Sequence, residues 1–592
     1  MPSLVQSQEL TNHRSIQQLF EAEVSRRPEA LAIEDGATTL SYAQLNARAD
    51  QLALRLRRLQ LGHGMIVGLC MERSADYVIG VLGVLKAGAT FLPIDPAYPA
   101  ERVRFMLDDA RAALIITRSA ASQHPGLTGH PLLALDGADP AALDKRPAAL
   151  DKEVPETAYV MFTSGTTGRP KAALVYHSGL LRFVTGQGLA LDVSERSRFL
   201  QLASICFDMS IWEIFLALSH GATLAIAPPL AVAAGAPLKR VLQQARVTHI
   251  LMTPSALATL TPGELPDLQV LVSAGERCTS HLISNWHAST RFFDAYGATE
   301  ATVYSTLNEY RLANSPVSVG VAIEGNSIVL LDDAGEPCAP NRSGEIYIGG
   351  DGVGGGYLNR PDLTRERFLE LAGQHGRFYR TGDLGVLLPD GRLVVQGRRD
   401  HQVKLRGYRI ELGEIETQIL QVRGIQEAVV VLNEQSSSGP MLVAFLVSAP
   451  DTRPSDATVL ESLAARLPEY MVPTRVEFIA ALPLTGNGKI DRAALAARGP
   501  SEANGRGDAR VLPQNAIEST LIAMWQELLD CPDIGVTDDF FELGGHSLIA
   551  ATLVGKIEQH FGIEIQIEPL FEDGTIRSLA KSISAGLEAA AE

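Results

Sequence analysis

At 592 residues the chain exceeds what one hydrophobic core usually serves, so about three or four domains are expected. Its 68 acidic residues outnumber 51 basic ones, and a net charge of -17 disfavours nucleic acid and anionic membrane as partners. The cysteines Cys70, Cys206, Cys278, Cys338 and Cys531 are too scattered for a zinc site or a disulfide framework, and the N-terminus lacks a targeting pattern, so a cytoplasmic protein with no membrane span is expected.

Leu31-Ala32-Ile33 reads as a strand. Ser41 and Gln44 have the spacing of a capping box, opening a helix in which Leu45, Ala49, Leu52, Leu56 and Leu59 recur at helical intervals, with Gly62 placed to end it. A strand at Ile66 to Leu69, a helix through Val78, Val81, Leu82 and Leu85, a strand near Thr90 to Leu92, a helix from Glu101 to Ala110 and a strand from Ala113 to Thr117 continue an α/β alternation.

The apolar strand Ala158 to Met161 then runs into Phe162-Thr163-Ser164-Gly165-Thr166-Thr167-Gly168-Arg169-Pro170-Lys171. Hydroxyls and glycines without bulk suit a loop that wraps phosphate oxygens, and Lys171 adds a cation. This is not the Walker pattern, because Lys171 is separated from Gly168 by Arg169 and Pro170, whereas a P-loop lysine directly follows its glycine. Taken alone, such a turn is more often a plain surface loop.

Asp208 begins a helix carrying Ile211, Trp212, Phe215 and Leu216. Thr248 to Met252 and Val270 to Ser273 read as buried strands, and the Ala/Pro-rich stretch Ala231 to Pro237 as a loop. From Gly385 the texture changes: Val386 to Leu388 and Leu393 to Val395 flank the turn Pro389-Asp390-Gly391-Arg392, a hairpin signal. An α+β unit follows to about residue 497, with a helix near Glu411, an edge strand at Ala428 to Leu432 and a strand at Met441 to Val447. Gly499 to Asp508 reads as a linker. Beyond it, Ile517, Leu521, Met524, Trp525 and Leu528 form one helix face, and Leu548, Ala551, Leu553, Val554 and Ile557 another. The expected division is 1–396, 397–497, a linker 498–512 and a helical unit 513–592.

Ten segments in order carry a resemblance: Leu40 to Asn46; Leu85 to Ala89 with Asp95 to Pro99; the 162–171 loop; Phe207 to Glu213; Ala295 to Glu300; Gly344 to Ile346 with Gly356 to Leu358; Tyr379 to Leu384; Gly397 to Gly407; Leu484 to Asp491; and Leu543 to Leu548. Over nearly its whole length the chain resembles a nonribosomal peptide synthetase adenylation domain, of the adenylate-forming superfamily, followed by a peptidyl carrier domain. The implied fold is multidomain α/β: a large adenylate-forming body, a small α+β subdomain and a four-helix carrier domain.

The resemblance implies ATP, Mg2+ and 4′-phosphopantetheine as cofactors. Thr163, Ser164, Gly165, Thr166, Thr167, Gly168 and Lys171 would hold the β- and γ-phosphates, Thr299 the α-phosphate and Glu300 the metal, since hard oxygen ligation suits magnesium. Tyr296 offers a flat face for adenine, Asp383 two acceptors for a ribose diol, and Arg398 supports the ribose. Lys489 would neutralise substrate carboxylate and ATP during adenylation. Asp400 matches the hinge about which the small subdomain would turn to present Lys404 instead. Ser547, by its surroundings an ordinary helix N-cap, matches the attachment serine, and His546 before it is peptidyl-carrier-like.

Asp208, otherwise a helix cap, matches the residue that pairs with a substrate α-ammonium. The carried-over pocket is Met209, Trp212, Leu251, Val272, Ala274, Ala295, Val303 and Tyr304, an apolar lining that predicts a neutral hydrophobic amino acid, branched aliphatic in preference to aromatic. Three positions depart from the family pattern: Ala298 stands for proline, Asp294 for asparagine and Ala172 for glycine. The expected activity is amino-acid adenylation and thiolation. No condensation-like segment precedes it and no thioesterase-like one follows, so loading of an initiating residue, or holding one for tailoring in trans, is expected. The expected partners are a phosphopantetheinyl transferase and tailoring enzymes or downstream modules, with an MbtH-like helper admitted. The alternatives are an acyl-CoA-ligase-like enzyme, opposed by Asp208 and Ser547, and a non-catalytic nucleotide-binding scaffold, opposed by the joint presence of Glu300, Asp383 and Lys489.

Overall fold

The computed structural model of the chain describes residues 13–136, 156–165, 168–228, 234–434, 439–449, 452–485, 489–498, 511–529, 531–541, 543–545, 547–565, 569–570 and 573–591. Thr166, Thr167, Ala231 to Ala233, Gly486 to Gly488, His546 and the linker Gly499 to Asp508 lie outside them.

Two large sheets form the body. A nine-stranded sheet has Arg198–Gln201, Thr223–Ile226, His249–Met252, Val270–Ala274 and Arg291–Tyr296 among its mostly parallel strands, and a seven-stranded sheet centres on Ile66–Cys70, Thr90–Ile94 and Thr157–Thr163. The helix Ala75–Ala87 buries twelve of its thirteen residues because it lies between these sheets, touching strands of both. Its one basic side chain, Lys86, is buried but paired with Glu21 and Asp50. The helix Asp208–Leu218 is enclosed differently, between strands of the nine-stranded sheet and the helices Ile16–Arg26 and His177–Ala190.

The capping box at Ser41 forms as predicted. The helix it opens, Tyr42–Arg58, ends before Gly62: Gln60 takes φ 61° and the Leu61 amide bonds back to the Leu56 carbonyl, so the left-handed turn falls on glutamine. The stretch Ala231 to Pro237, read as a loop, contains the start of a helix, Gly235–Gln244, with Pro237 in its first turn, where the missing amide costs nothing.

A five-stranded antiparallel sheet follows, including Ser343–Gly350, Arg377–Leu387 and Leu393–Arg398, the last two forming the predicted hairpin. Beyond it come the hairpin Gln402–Leu405 and Tyr408–Glu411, the helix Leu412–Ile419 and a three-stranded sheet in which Ile425–Asn433 is one edge and Arg475–Phe478 the other. The C-terminal unit packs its described helices Ala516–Leu529, Ser547–Phe561 and Ile576–Ala591 around Leu521, Trp525, Val554, Ile557 and Ile583. Its middle helix lies along Gly235–Gln244 of the body, where Arg240 reaches both carboxylate oxygens of Glu558 at 2.8 and 2.9 Å.

Candidate active site

Parallel strands end together, and the polar residues cluster beyond their C-terminal ends, where backbone groups and loops are free to meet a ligand. The loop predicted to hold phosphates is a hairpin within the seven-stranded sheet, with Thr163 and Lys171 in register across it. A Cβ at Gly165 would come 1.8 Å from the Arg169 carbonyl, so this turn closes only around glycine. Lys171 is the first residue of the return strand, and its buried ammonium points toward Glu300, 3.6 Å away.

Glu300 is fully buried. One carboxylate oxygen accepts from the Tyr357 hydroxyl at 2.6 Å and the other from Arg409 Nη1 at 2.9 Å. Burial opposes its charge, but Arg409 and Lys171 outweigh it and hold the carboxyl well below the usual carboxylate range. Burial also lowers Lys171, to about 8, against the attraction of Glu300. Thr299 precedes Glu300 in a short 3-10 turn and donates its hydroxyl to Asp208 Oδ2 at 2.7 Å. Asp208 is the first residue of its helix and Phe207 the cap, so Asp208 is not spent on capping. Burial pushes its carboxyl up to about 6, opposed by the Thr299 hydrogen bond.

On the five-stranded sheet Asp383 and Arg398 are cross-strand partners, which brings them within 2.5 Å. Asp383 also accepts from the Tyr296 hydroxyl at 2.5 Å, while Arg398 continues to Asp400 at 2.6 and 2.9 Å and to the Thr381 carbonyl at 3.1 Å. Sequence places these residues 87 and 15 positions apart; the sheet makes them one chain of polar contacts.

The small subdomain enters this cluster through its hairpin. Arg406 at φ 53° and Gly407 at φ 81° make the turn, and a Cβ on Gly407 would lie 2.4 Å from the Thr253 methyl. Lys404 and Arg409 are register partners on the hairpin and reach the site together, Lys404 over the Tyr296 ring at 5.4 Å and Arg409 on Glu300. Burial lowers the Lys404 ammonium from its ordinary value, with Asp383 and Asp208 among its counter-charges. Lys489 is not brought there. It is exposed, its amide on the Thr485 hydroxyl at 3.3 Å and its carbonyl on the Thr485 amide at 2.7 Å.

Trp212, Leu251, Val272, Ala274, Ala295, Val303 and Tyr304 fall in one buried apolar cluster, with Met209 packed against it. Trp212 Nε1 donates to the Tyr304 hydroxyl at 3.2 Å, which donates to Gln187 Oε1 at 2.9 Å. The two aromatic polar atoms thus satisfy each other and Gln187. Thr302 and Val303 both have positive φ, 60° and 62°, a strained conformation for β-branched residues held beside the pocket.

The residues fit the groups ATP would bring. Asp294 shares a face of its strand with Tyr296, and its buried Oδ1 has no hydrogen-bond partner, an acceptor suited to an exocyclic amine. Glu300 gives one hard oxygen donor, which suits a Mg2+ whose other ligands are phosphates and waters. Ser547 opens the helix Ser547–Phe561. Sequence reasoning missed Tyr357, Arg409, Glu414 and Gln187. Tyr357 lies within the motif segments, and Arg409 is two residues past Gly407, so extending the motif by one strand would have found the arginine. Gln187 carried no signal.

Family models match as follows: AMP-binding enzyme at residues 20–358, AMP-binding enzyme C-terminal domain at 414–489, and phosphopantetheine attachment site at 519–583. The chain is similar to a component of the linear gramicidin synthase of Brevibacillus parabrevis, 40% identical across 97% of this chain, though it spans only 11% of that protein. It is also similar to novobiocin biosynthesis protein H of Streptomyces niveus, 39% identical over 96% of each. Among solved structures it superimposes on a holo NRPS protein containing adenylation and PCP domains, bound to a vinylsulfonamide inhibitor, with TM-score 0.82, 28% identity and 98% of both chains covered. The chain belongs to the AMP-binding enzyme family, as a nonribosomal-peptide-synthetase adenylation domain followed by a phosphopantetheine-attachment carrier domain.

Proposed function

We propose that the chain activates a neutral, mainly hydrophobic α-amino acid and loads it on its own carrier domain, within the divisions 1–396, 397–497, 498–512 and 513–592. The substrate carboxylate oxygen attacks the α-phosphorus of ATP and pyrophosphate leaves. A thiol sulfur then attacks the acyl carbon and AMP leaves. Mg2+, held by Glu300 and by the phosphates, would offset their charge, and a phosphopantetheine arm on Ser547 would supply the thiol.

The chain's own residues have distinct tasks. Thr163 to Gly168 and Lys171 receive the terminal phosphates, and Thr299 the α-phosphate. Tyr296, Asp383 and Arg398 hold the nucleoside. Lys489 offsets the anions of the first step and Lys404 those of the second, with Asp400 as hinge.

Asp208 carries the substrate reading. Its carboxylate faces Thr299 beside an apolar pocket, so an α-ammonium would pair with it while an acid lacking the amine would forgo that ion pair. The Trp212–Tyr304 pair supports an apolar side chain, since the indole N–H and the phenol hydroxyl both donate within the protein, to Tyr304 and to Gln187, and neither proton is left for a ligand. The deciding experiment is ATP–pyrophosphate exchange across the amino acids: exchange with branched aliphatic residues is expected, and none with any amino acid would overturn the activation reading. For partners we propose a phosphopantetheinyl transferase, then downstream modules or tailoring enzymes that take the loaded acyl group. Ser547→Ala keeps exchange but gains no phosphopantetheine mass; an undiminished gain would move the attachment site.

A further inference from the structure

The segment 409–414 of the small subdomain occupies the metal and phosphate positions together. Arg409 Nη1 lies 2.9 Å from Glu300, its Nε is on Gln402 at 2.7 Å and its Nη2 on the Tyr379 hydroxyl at 3.2 Å. Its carbonyl accepts from the Ser164 hydroxyl at 2.8 Å. Glu414 accepts from the Gly165 amide at 3.0 Å, and its other oxygen is paired with buried Arg102 at 2.9 Å. A cation therefore sits on the carboxylate assigned to Mg2+, and a carboxylate sits on an amide assigned to phosphate.

We propose that Arg409 and Glu414 form a latch that takes the place of magnesium pyrophosphate, with a cation on Glu300 and a carboxylate on the Gly165 amide. The inference rests on the functional reading above. Loss of the metal would leave buried Glu300 with the Tyr357 hydroxyl and the single cation Lys171, and loss of the phosphates would leave the Gly165 amide and the Ser164 hydroxyl without partners; each omission is costly in a water-excluded site. The guanidinium offsets the first and the Glu414 carboxylate, with the Arg409 carbonyl, offsets the second. The two occupants exclude each other, because metal pyrophosphate and the docked segment need the same oxygens and donors. Lys404 is the cross-strand partner of Arg409, so it reaches Tyr296 only when the latch is closed. Release of magnesium pyrophosphate thereby becomes the condition for setting up thioester formation, and Arg409 and Glu414 are positioning residues for that step.

The test uses the full chain carrying a fluorophore pair at Leu312 of the body and Leu420 of the small subdomain, both exposed, and reads the docked-to-undocked ratio by single-molecule energy transfer. Magnesium pyrophosphate is expected to shift the wild-type chain toward the undocked population. Arg409→Ala and Glu414→Gln are each expected to lower the ratio about tenfold without ligand and to flatten the response to magnesium pyrophosphate, and Arg409→Lys to restore part of both. A wild-type distribution unmoved by magnesium pyrophosphate, or variants within about twofold of wild type in ratio and response, overturns the latch. ATP–pyrophosphate exchange on the same wild-type sample separates the two readings. Absent exchange with every amino acid fails the functional reading, whereas exchange with unmoved distances fails the latch alone.

Discussion

Two lysines of the small subdomain meet opposite surroundings. Lys404 lies on a hairpin that meets the ends of the body's strands, beside Tyr296 and near Asp208 and Asp383. Lys489 lies at an exposed turn whose backbone hydrogen bonds return to Thr485. The difference teaches that place in the fold and not residue type decides which lysine is buried at the site: the docked hairpin carries Lys404 to Tyr296, and the Lys489 turn stays at the surface. The structure holds the orientation that presents Lys404.

The largest effect that sharpens this comparison is expected from Lys489→Ala, which lowers ATP–pyrophosphate exchange by roughly 100- to 1,000-fold, as removal of a charge-stabilising donor does. Near-normal exchange would break the pairing of each lysine with a step. Lys404→Ala is expected to act on the other side, slowing transfer of a preformed aminoacyl adenylate to the carrier by about 100-fold, measured as single-turnover thioester formation.

A smaller effect follows from pH. Asp208 titrates at about 6, raised by burial, with Glu300 and Lys404 as its charged neighbours and Thr299 bonded to it. A raised carboxyl is protonated as pH falls through 6, and a neutral Asp208 no longer pairs with an α-ammonium. KM for the amino acid is therefore expected to rise about tenfold for each pH unit below 6. A KM flat from pH 7 to 5 would remove Asp208 from substrate recognition.

The smallest concerns the carrier contact. Arg240→Glu places like charge against Glu558 and is expected to slow loading in cis about threefold to tenfold, with Glu558→Arg in the same chain restoring it, because the pair is only partly buried. Unrestored loading would mean that the packing of Gly235 against Ala551 carries the contact.

Much of this was legible because it is local. The capping box at Ser41, the hairpin across Pro389 to Arg392 and the enclosed helix Ala75–Ala87 follow from spacing and apolar content over a few residues. The end of the helix at Gln60 was not, since a left-handed residue there depends on the Leu61 to Leu56 bond and not on glycine. Gln187 was hidden for a different reason. Nothing near it in sequence points to Tyr304, 117 residues away, and the bond exists only where two packed helices and a sheet end meet.

By itself the sequence determined the ordered motifs, and with them the family, the candidate nucleotide and carrier residues and an apolar pocket around Asp208. Tertiary structure alone decided which partners those residues take: that Glu300 is shared by Tyr357, Lys171 and Arg409, that Asp383 joins Tyr296 to Arg398, and that Lys404 stands where Lys489 does not. The physical reason is one of range. Propensity and motif spacing act over a few neighbouring residues, whereas buried charges are matched across sheets and subdomains, where burial makes an unpaired group too costly to leave.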